Sequence, residues 1–95
     1  MEVTVKFFTT LREILSRKED VVELSANSTI ENLLKKLSQK HGNKFTDYVY
    51  DKKTNRPKAH LQFLVDSVSI GTLQGLKTKL KDGNVVAIVP PVGGG

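Results

Sequence analysis

The chain has 95 residues, 38% hydrophobic and 26% charged, with a formal net charge of +5 and no cysteine. That length fits one domain, which buries only about 60–65% of the surface its unfolded chain exposes, and the missing cysteines exclude a disulfide, a thiolate nucleophile and a cysteine-based metal site. No apolar stretch approaches the roughly 20 residues of a membrane span, and MEVTVKFF lacks the basic-then-apolar layout of a secretory signal, so a soluble, cytoplasmic protein is expected.

Taken in chain order, VTVKFF sets Val3, Val5 and Phe7 on one face and Thr4, Lys6 and Phe8 on the other, the period of a half-buried strand. TTLREILSRK follows with Leu11, Ile14 and Leu15 at helical spacing and predicts about two turns of helix. Residues 20–24, DVVEL, read as a second strand. In ANSTIENLLKKLSQKHG, Ser28 and Glu31 have the spacing of a capping box, Ile30, Leu33, Leu34 and Leu37 form one apolar stripe, and Gly42 is expected to stop the helix in the left-handed conformation.

Residues 43–59 are polar and basic apart from Phe45, Tyr48, Val49 and Tyr50, which predicts one short packed turn within a long loop. HLQFLV restores alternation with Leu61, Phe63 and Val65, Asp66 and Ser67 make a turn, and 68–70 read as a short strand. TLQGLKTKL directs Leu73, Leu76 and Leu80 to the core; Lys81-Asp82-Gly83 forms a tight turn and NVVAIV the last strand. Helical and strand periods are mixed rather than regularly alternating, so the fold class is α+β, a sheet covered on one face by a helix. The domain is expected over 1–89 and an extended tail over 90–95.

The interior of the sequence offers no catalytic constellation. His41 and His60 have no metal-ligand spacing and read as a surface and a strand-edge residue, and Glu19-Asp20 as a solvated turn. The lysines and arginines are scattered, densest in DKKTNRPK, and no aromatic pair lies on a basic strand, so nucleic acid is not the expected partner. The ending, PPVGGG, is different. Pro90-Pro91 cannot continue a ladder and send the chain outward. Six extended residues reach about 20 Å, and glycines keep the cross-section at backbone width. The reactive group at the tip is the α-carboxylate of Gly95. A glycine-rich end is equally the composition of a disordered or leftover terminus, so layout alone leaves both readings open. Phe8 and Val89 fall out of phase with their inward neighbours, which places an apolar patch on the sheet face away from the helix; Phe8 as the cap of a minor core under the first helix is the other reading.

VTVKFFTTLREIL and LKTKLKDGNVVAIVPPVGGG together resemble the MoaD family, the small sulfur-carrier subunit of molybdopterin synthase, in the wider ubiquitin-like group with ThiS and the archaeal small modifier proteins. The terminal motif is carried by Leu80, Asp82, Gly83, Val86, Ala87, Pro90, Pro91, Val92, Gly94 and Gly95, with Gly93 where members often carry another residue. The chain departs from the pattern in its longer segment 43–59 and at Val65-Asp66-Ser67, where relatives often have Asn-Gly.

The resemblance implies a ubiquitin-like β-grasp fold, a mixed sheet of four to five strands on one main helix with a flexible C-terminal tail. It implies that an E1-like enzyme of MoeB type adenylates Gly95 with ATP, that a persulfide donor converts it to a thiocarboxylate, and that sulfur passes to a pterin precursor beside a MoaE-type large subunit. On this reading Gly95 and Gly94 are the reacting end. Phe8, Val89, Pro90, Pro91, Val92 and Gly93 contact partners, catalytic groups belong to those partners, and the chain itself binds no metal or cofactor. Related archaeal proteins imply an alternative, a modifier joined through Gly95 to lysines of target proteins. A third reading is a basic binding module with no terminal chemistry.

Overall fold

In the computed structural model, which describes residues 1–90, the alternation of Val3, Val5 and Phe7 becomes strand β1 (Glu2–Phe7), with those three side chains buried. Helix α1 (Thr9–Leu15) buries Leu11 and ends at Ser16 in the left-handed region. Strand β2 (Glu19–Glu23) then returns antiparallel to β1.

Helix α2 (Ile30–His41) buries its predicted stripe of Ile30, Leu33, Leu34 and Leu37 completely. Its capping box lies one residue later than expected: Thr29 Oγ1 accepts the Asn32 N–H at 3.3 Å, and Asn32 Oδ1 accepts the Thr29 N–H at 2.9 Å. The shift has a tertiary cause. Ser28 C=O accepts the Leu80 N–H and Thr29 bridges Lys79, which holds the chain extended through Thr29. The first helical amide, that of Ile30, donates to Thr78 C=O, so one of the helix's orphan donors is met from across the fold.

Gly42 ends α2 with φ +68° as expected, but its ψ of −146° is not left-handed helical. This region is essentially restricted to glycine, and it aims the chain straight into a helix that the sequence reading missed, α3 (Asn43–Val49), with Phe45 and Val49 fully buried. What the sequence predicts as a long loop is thus α3 followed by a small hairpin, β3 (Tyr50–Asp51) with β4 (Arg56–Pro57).

Strands β5 (Gln62–Val65) and β6 (Val68–Ser69) are joined by Asp66 and Ser67, both at positive φ, as a two-residue hairpin turn requires. The turn that departs from Asn-Gly therefore retains a hairpin conformation. Strand β6 is one residue shorter than predicted, because Ile70 opens a 3-10 turn (Ile70–Thr72) capped by Ser69. Leu73 is not in the core: it is 45% exposed at the end of that turn, and Ile70 occupies the buried position instead. Leu76 packs at the margin from within a second 3-10 turn (Gly75–Lys77), and Leu80 is buried. Gly83 at φ +86° completes the last turn.

Strand β7 (Val85–Val89) inserts between β1, to which it is parallel, and β5, to which it is antiparallel, giving a mixed five-stranded sheet in the order β2-β1-β7-β5-β6. The inward face of this sheet and the apolar sides of the helices make one core. Asp66 fixes the entry to β7, its carboxylate accepting the Val85 N–H at 2.8 Å and the Asn84 side-chain amide at 2.7 Å.

Candidate docking face and C-terminal tail

The strand pairing sets what the sheet presents on its other face. Thr4 is the register partner of both Val21 and Val85, Lys6 of Glu19 and Ala87, and Leu64 of Ala87. Cross-strand partners share a face, so Val21, Val85, Ala87, Leu64 and Val89 lie together opposite the helices. The last β1–β7 pair is Phe7 with Ile88; the next step of that register brings Phe8 level with Val89.

Both are half-buried. The partly buried apolar residues packed against the core are Met1, Leu15, Tyr48, Tyr50 and Leu76, and neither Phe8 nor Val89 is among them. Phe8 has extended backbone at the start of α1, and the Arg12 guanidinium sits 5.8 Å from its ring centroid while Arg12 Nε donates to Phe7 C=O at 3.2 Å. The arrangement favours the outer-face reading of Phe8 over a minor core. Pro90 is half-buried directly after β7. The expectations on Pro91, Val92, Gly93, Gly94 and Gly95 fall outside the described residues.

Elsewhere the structure corrects two readings. Asp20 is not a solvated turn residue and His41 is not a surface residue. Asp20 is 3% exposed on the inward face of β2, and its carboxylate is met by Arg17, by Lys40 Nζ at 3.2 Å and by His41 Nε2 at 2.6 Å. His41 also meets Phe7 edge-on, with ring centroids 6.1 Å apart, and lies tilted against Phe45. Burial by itself raises the Asp20 pKa; the hydrogen bonds from His41, Arg17 and Lys40 outweigh it and hold the carboxyl below the ordinary aspartate value. With the carboxylate ionised, His41 Nε2 carries the proton and donates. A local signal existed: in DVVEL, Asp20 is in phase with Val22 and Leu24 and so points inward. His60, by contrast, is exposed.

A groove of about 980 Å³ runs beside α2, between α3, the β3–β4 hairpin and the second 3-10 turn. Tyr50 lines it, its hydroxyl pKa raised by burial, and no histidine does. Among the described residues, no helix is long and apolar enough to cross a membrane.

A mixed sheet grasping a helix, with its central strand leading to a Pro-Pro-Val-Gly-Gly-Gly end, defines a ubiquitin-like β-grasp protein. Over residues 5–95 the chain matches the ThiS family, and it belongs to that family. It is 28% identical to small archaeal modifier protein 3 of Haloferax volcanii over the whole of both chains. Among solved structures, it resembles small archaeal modifier protein 1 of Methanosarcina acetivorans with a TM-score of 0.83 and 29% identity, covering 99% of this chain and 96% of that one. A putative molybdopterin converting factor subunit 1 of Pyrococcus furiosus gives a TM-score of 0.72 and 28% identity, covering 97% and 99%.

Proposed function

We propose that the chain is a sulfur carrier of molybdopterin biosynthesis whose reacting group is the α-carboxylate of Gly95. The observation that carries this reading is the exit from the fold: β7, the middle strand of the sheet, leads through Val89 and Pro90 into a Val-Gly-Gly-Gly end that falls within the family match. A carboxylate is a poor electrophile. An E1-like partner of MoeB type therefore joins it to AMP at the expense of ATP, releasing pyrophosphate. The outer sulfur of a donor persulfide then displaces AMP to give an acyl disulfide, and a second thiol of the donor protein cleaves that S–S bond, leaving the thiocarboxylate on Gly95 and a disulfide on the donor. That sulfur passes to a pterin precursor held with a MoaE-type large subunit. The outer sheet face around Phe8, Ala87 and Val89 docks the partners, and the glycines admit the tip to a narrow active site.

A second reading is favoured by the full-length similarity to a small archaeal modifier protein: the same activated Gly95 forms isopeptide bonds with lysines of target proteins. Both uses begin with the same acyl adenylate. Intact mass of the protein from its native host, with a search for lysine peptides branched through Gly95, separates them. Exchange of a terminal oxygen for sulfur supports the carrier and branched peptides the modifier. Neither product, combined with undiminished activity after removal of Gly94 and Gly95, overturns both.

A further inference from the structure

Strand β2 pairs with β1 on one side, and among the described residues nothing pairs with its other side. The register shows which groups that free edge presents. Met1 and Leu24 exchange two backbone hydrogen bonds of 2.8 Å, and Phe7 N–H donates to Lys18 C=O at 2.9 Å. Antiparallel bonding alternates, so residues 18, 20, 22 and 24 turn their backbone groups to β1, while Glu19, Val21 and Glu23 turn theirs outward.

The side chains of those three residues share the outer sheet face. Val21 is 55% exposed, the most open large apolar residue among those described, and a glutamate flanks it on each side. Glu2 and Glu23 are register partners, a like-charge pair that costs stability in a two-stranded ladder. The Glu23 side chain is 69% exposed, and its ion-pair partner among the described residues is the Met1 amine, at 3.9 Å. In a chain of net charge +5, this edge is an acidic strip around an apolar centre. On the inward side of the edge, Val22 and Leu37 floor a shallow recess of about 340 Å³ that Lys36 and Lys40 border.

We propose that the free edge of β2 docks an extended segment of a partner protein, added as a sixth strand, whose residues facing Glu23, Val21 and Glu19 run basic, apolar, basic. Main-chain bonds to Glu19, Val21 and Glu23 supply affinity and the alternating side chains supply selectivity. Its intervening residues are apolar and enter the recess over Val22 and Leu37. A second copy of β2 is a poor occupant, because antiparallel pairing about Val21 sets Glu19 against Glu23 twice. This docking strand is independent of the chemistry of Gly95.

The test uses two peptides, Ser-Gly-Lys-Ile-Val-Ile-Lys-Gly-Ser and the same sequence with Glu in place of both Lys, titrated into the full chain with amide exchange followed by NMR. The lysine peptide is expected to bind roughly tenfold tighter or more, the difference between two opposite-charge and two like-charge cross-strand pairs. It slows exchange of the Glu19, Val21 and Glu23 amides while leaving Val22, already bonded to β1, unchanged. In the double variant Glu19→Lys/Glu23→Lys the preference inverts. Equal binding of the two peptides, protection elsewhere than at residues 19, 21 and 23, an unaltered preference in the double variant, or no binding of either peptide at millimolar concentration overturns the proposal.

Discussion

His41 Nε2 lies 2.6 Å from Asp20 Oδ2, so the last residue of α2 is fastened to an inward-facing carboxylate on the sheet's edge strand. Lys40 and Arg17 complete the ring of donors around that carboxylate. Cationic groups at a helix C-terminus also offset the negative end of its dipole. The cluster therefore ties the otherwise single-sided β2 to the main helix.

Removing the carboxylate leaves three donors facing one another. Asp20→Ala is expected to lower stability by about 2–3 kcal/mol, below the cost of breaking a fully buried pair because Arg17 and Lys40 remain nearly half exposed. The midpoint of thermal unfolding should fall by about 10–20 °C. His41→Gln, which keeps a donor but loses the ring contacts with Phe7 and Phe45, should cost less. Equal losses in the two variants would place the stabilisation in aromatic packing rather than in the carboxylate.

The depressed Asp20 pKa fixes a direction for acid. A folded-state pKa below the ordinary value of 3.8 means the contribution is fully present above that value and is lost as pH falls through the folded-state pKa. Urea unfolding of wild type and Asp20→Asn should differ most at neutral pH and converge below about pH 3.8. A gap that persisted unchanged at lower pH would show that Asp20 stays charged throughout or contributes nothing by its charge.

Gly42 is held by backbone geometry alone. At φ +68° and ψ −146° no neighbour lies within 4 Å of where a Cβ would stand, so Gly42→Ala meets strain and no clash. The expected loss is about 1–3 kcal/mol, read from chemical denaturation. Since the strain sits between α2 and α3, amide protection in α3 should weaken before that in β1.

The proposed docking face makes a separate demand. Val89→Asp places a charge on the outer face beside Ala87 and Leu64 without touching the core. It should weaken binding to an E1-like enzyme by tenfold or more, about 1.4 kcal/mol, and shift the unfolding midpoint by only a few degrees. Unchanged affinity, measured by calorimetry, would remove Val89 from the interface.

Deletion of Gly95 should leave unfolding by urea as in the full chain and abolish ATP–pyrophosphate exchange by the E1-like partner. A shortened protein that still supported exchange would mean the activated carboxylate is not at Gly95.

Much of this molecule was legible in its residues. Alternation marked β1, β2, β5 and β7, and the four-residue stripe marked α2, because each buries one face and has the length to repeat its period. Segment α3 escaped since its buried pair, Phe45 and Val49, supplies a single i, i+4 interval among polar neighbours, too little to distinguish from a packed turn. The capping box slipped by one because Ser28 and Thr29 both have a polar partner three residues on; only the contacts with Lys79 and Leu80 decide between them. The pairing of Asp20 with His41 joins two elements and leaves no local trace beyond the inward phase of Asp20. The PPVGGG end was legible as part of a motif that falls within the family match, whereas the apolar outer face of the sheet needed the register of β1 against β7.

Thr4 takes Val85 as its register partner, so among the described strands the earliest to leave the ribosome waits for the latest before its second edge is paired. Within the sheet β1 and β5 are joined only through β7, residues 85–89, which makes closure of the sheet a late event. A chain that stalls short of β7 lacks both the strand that joins β1 to β5 and every residue that follows it, so a closed sheet certifies that its tail-bearing strand has been made.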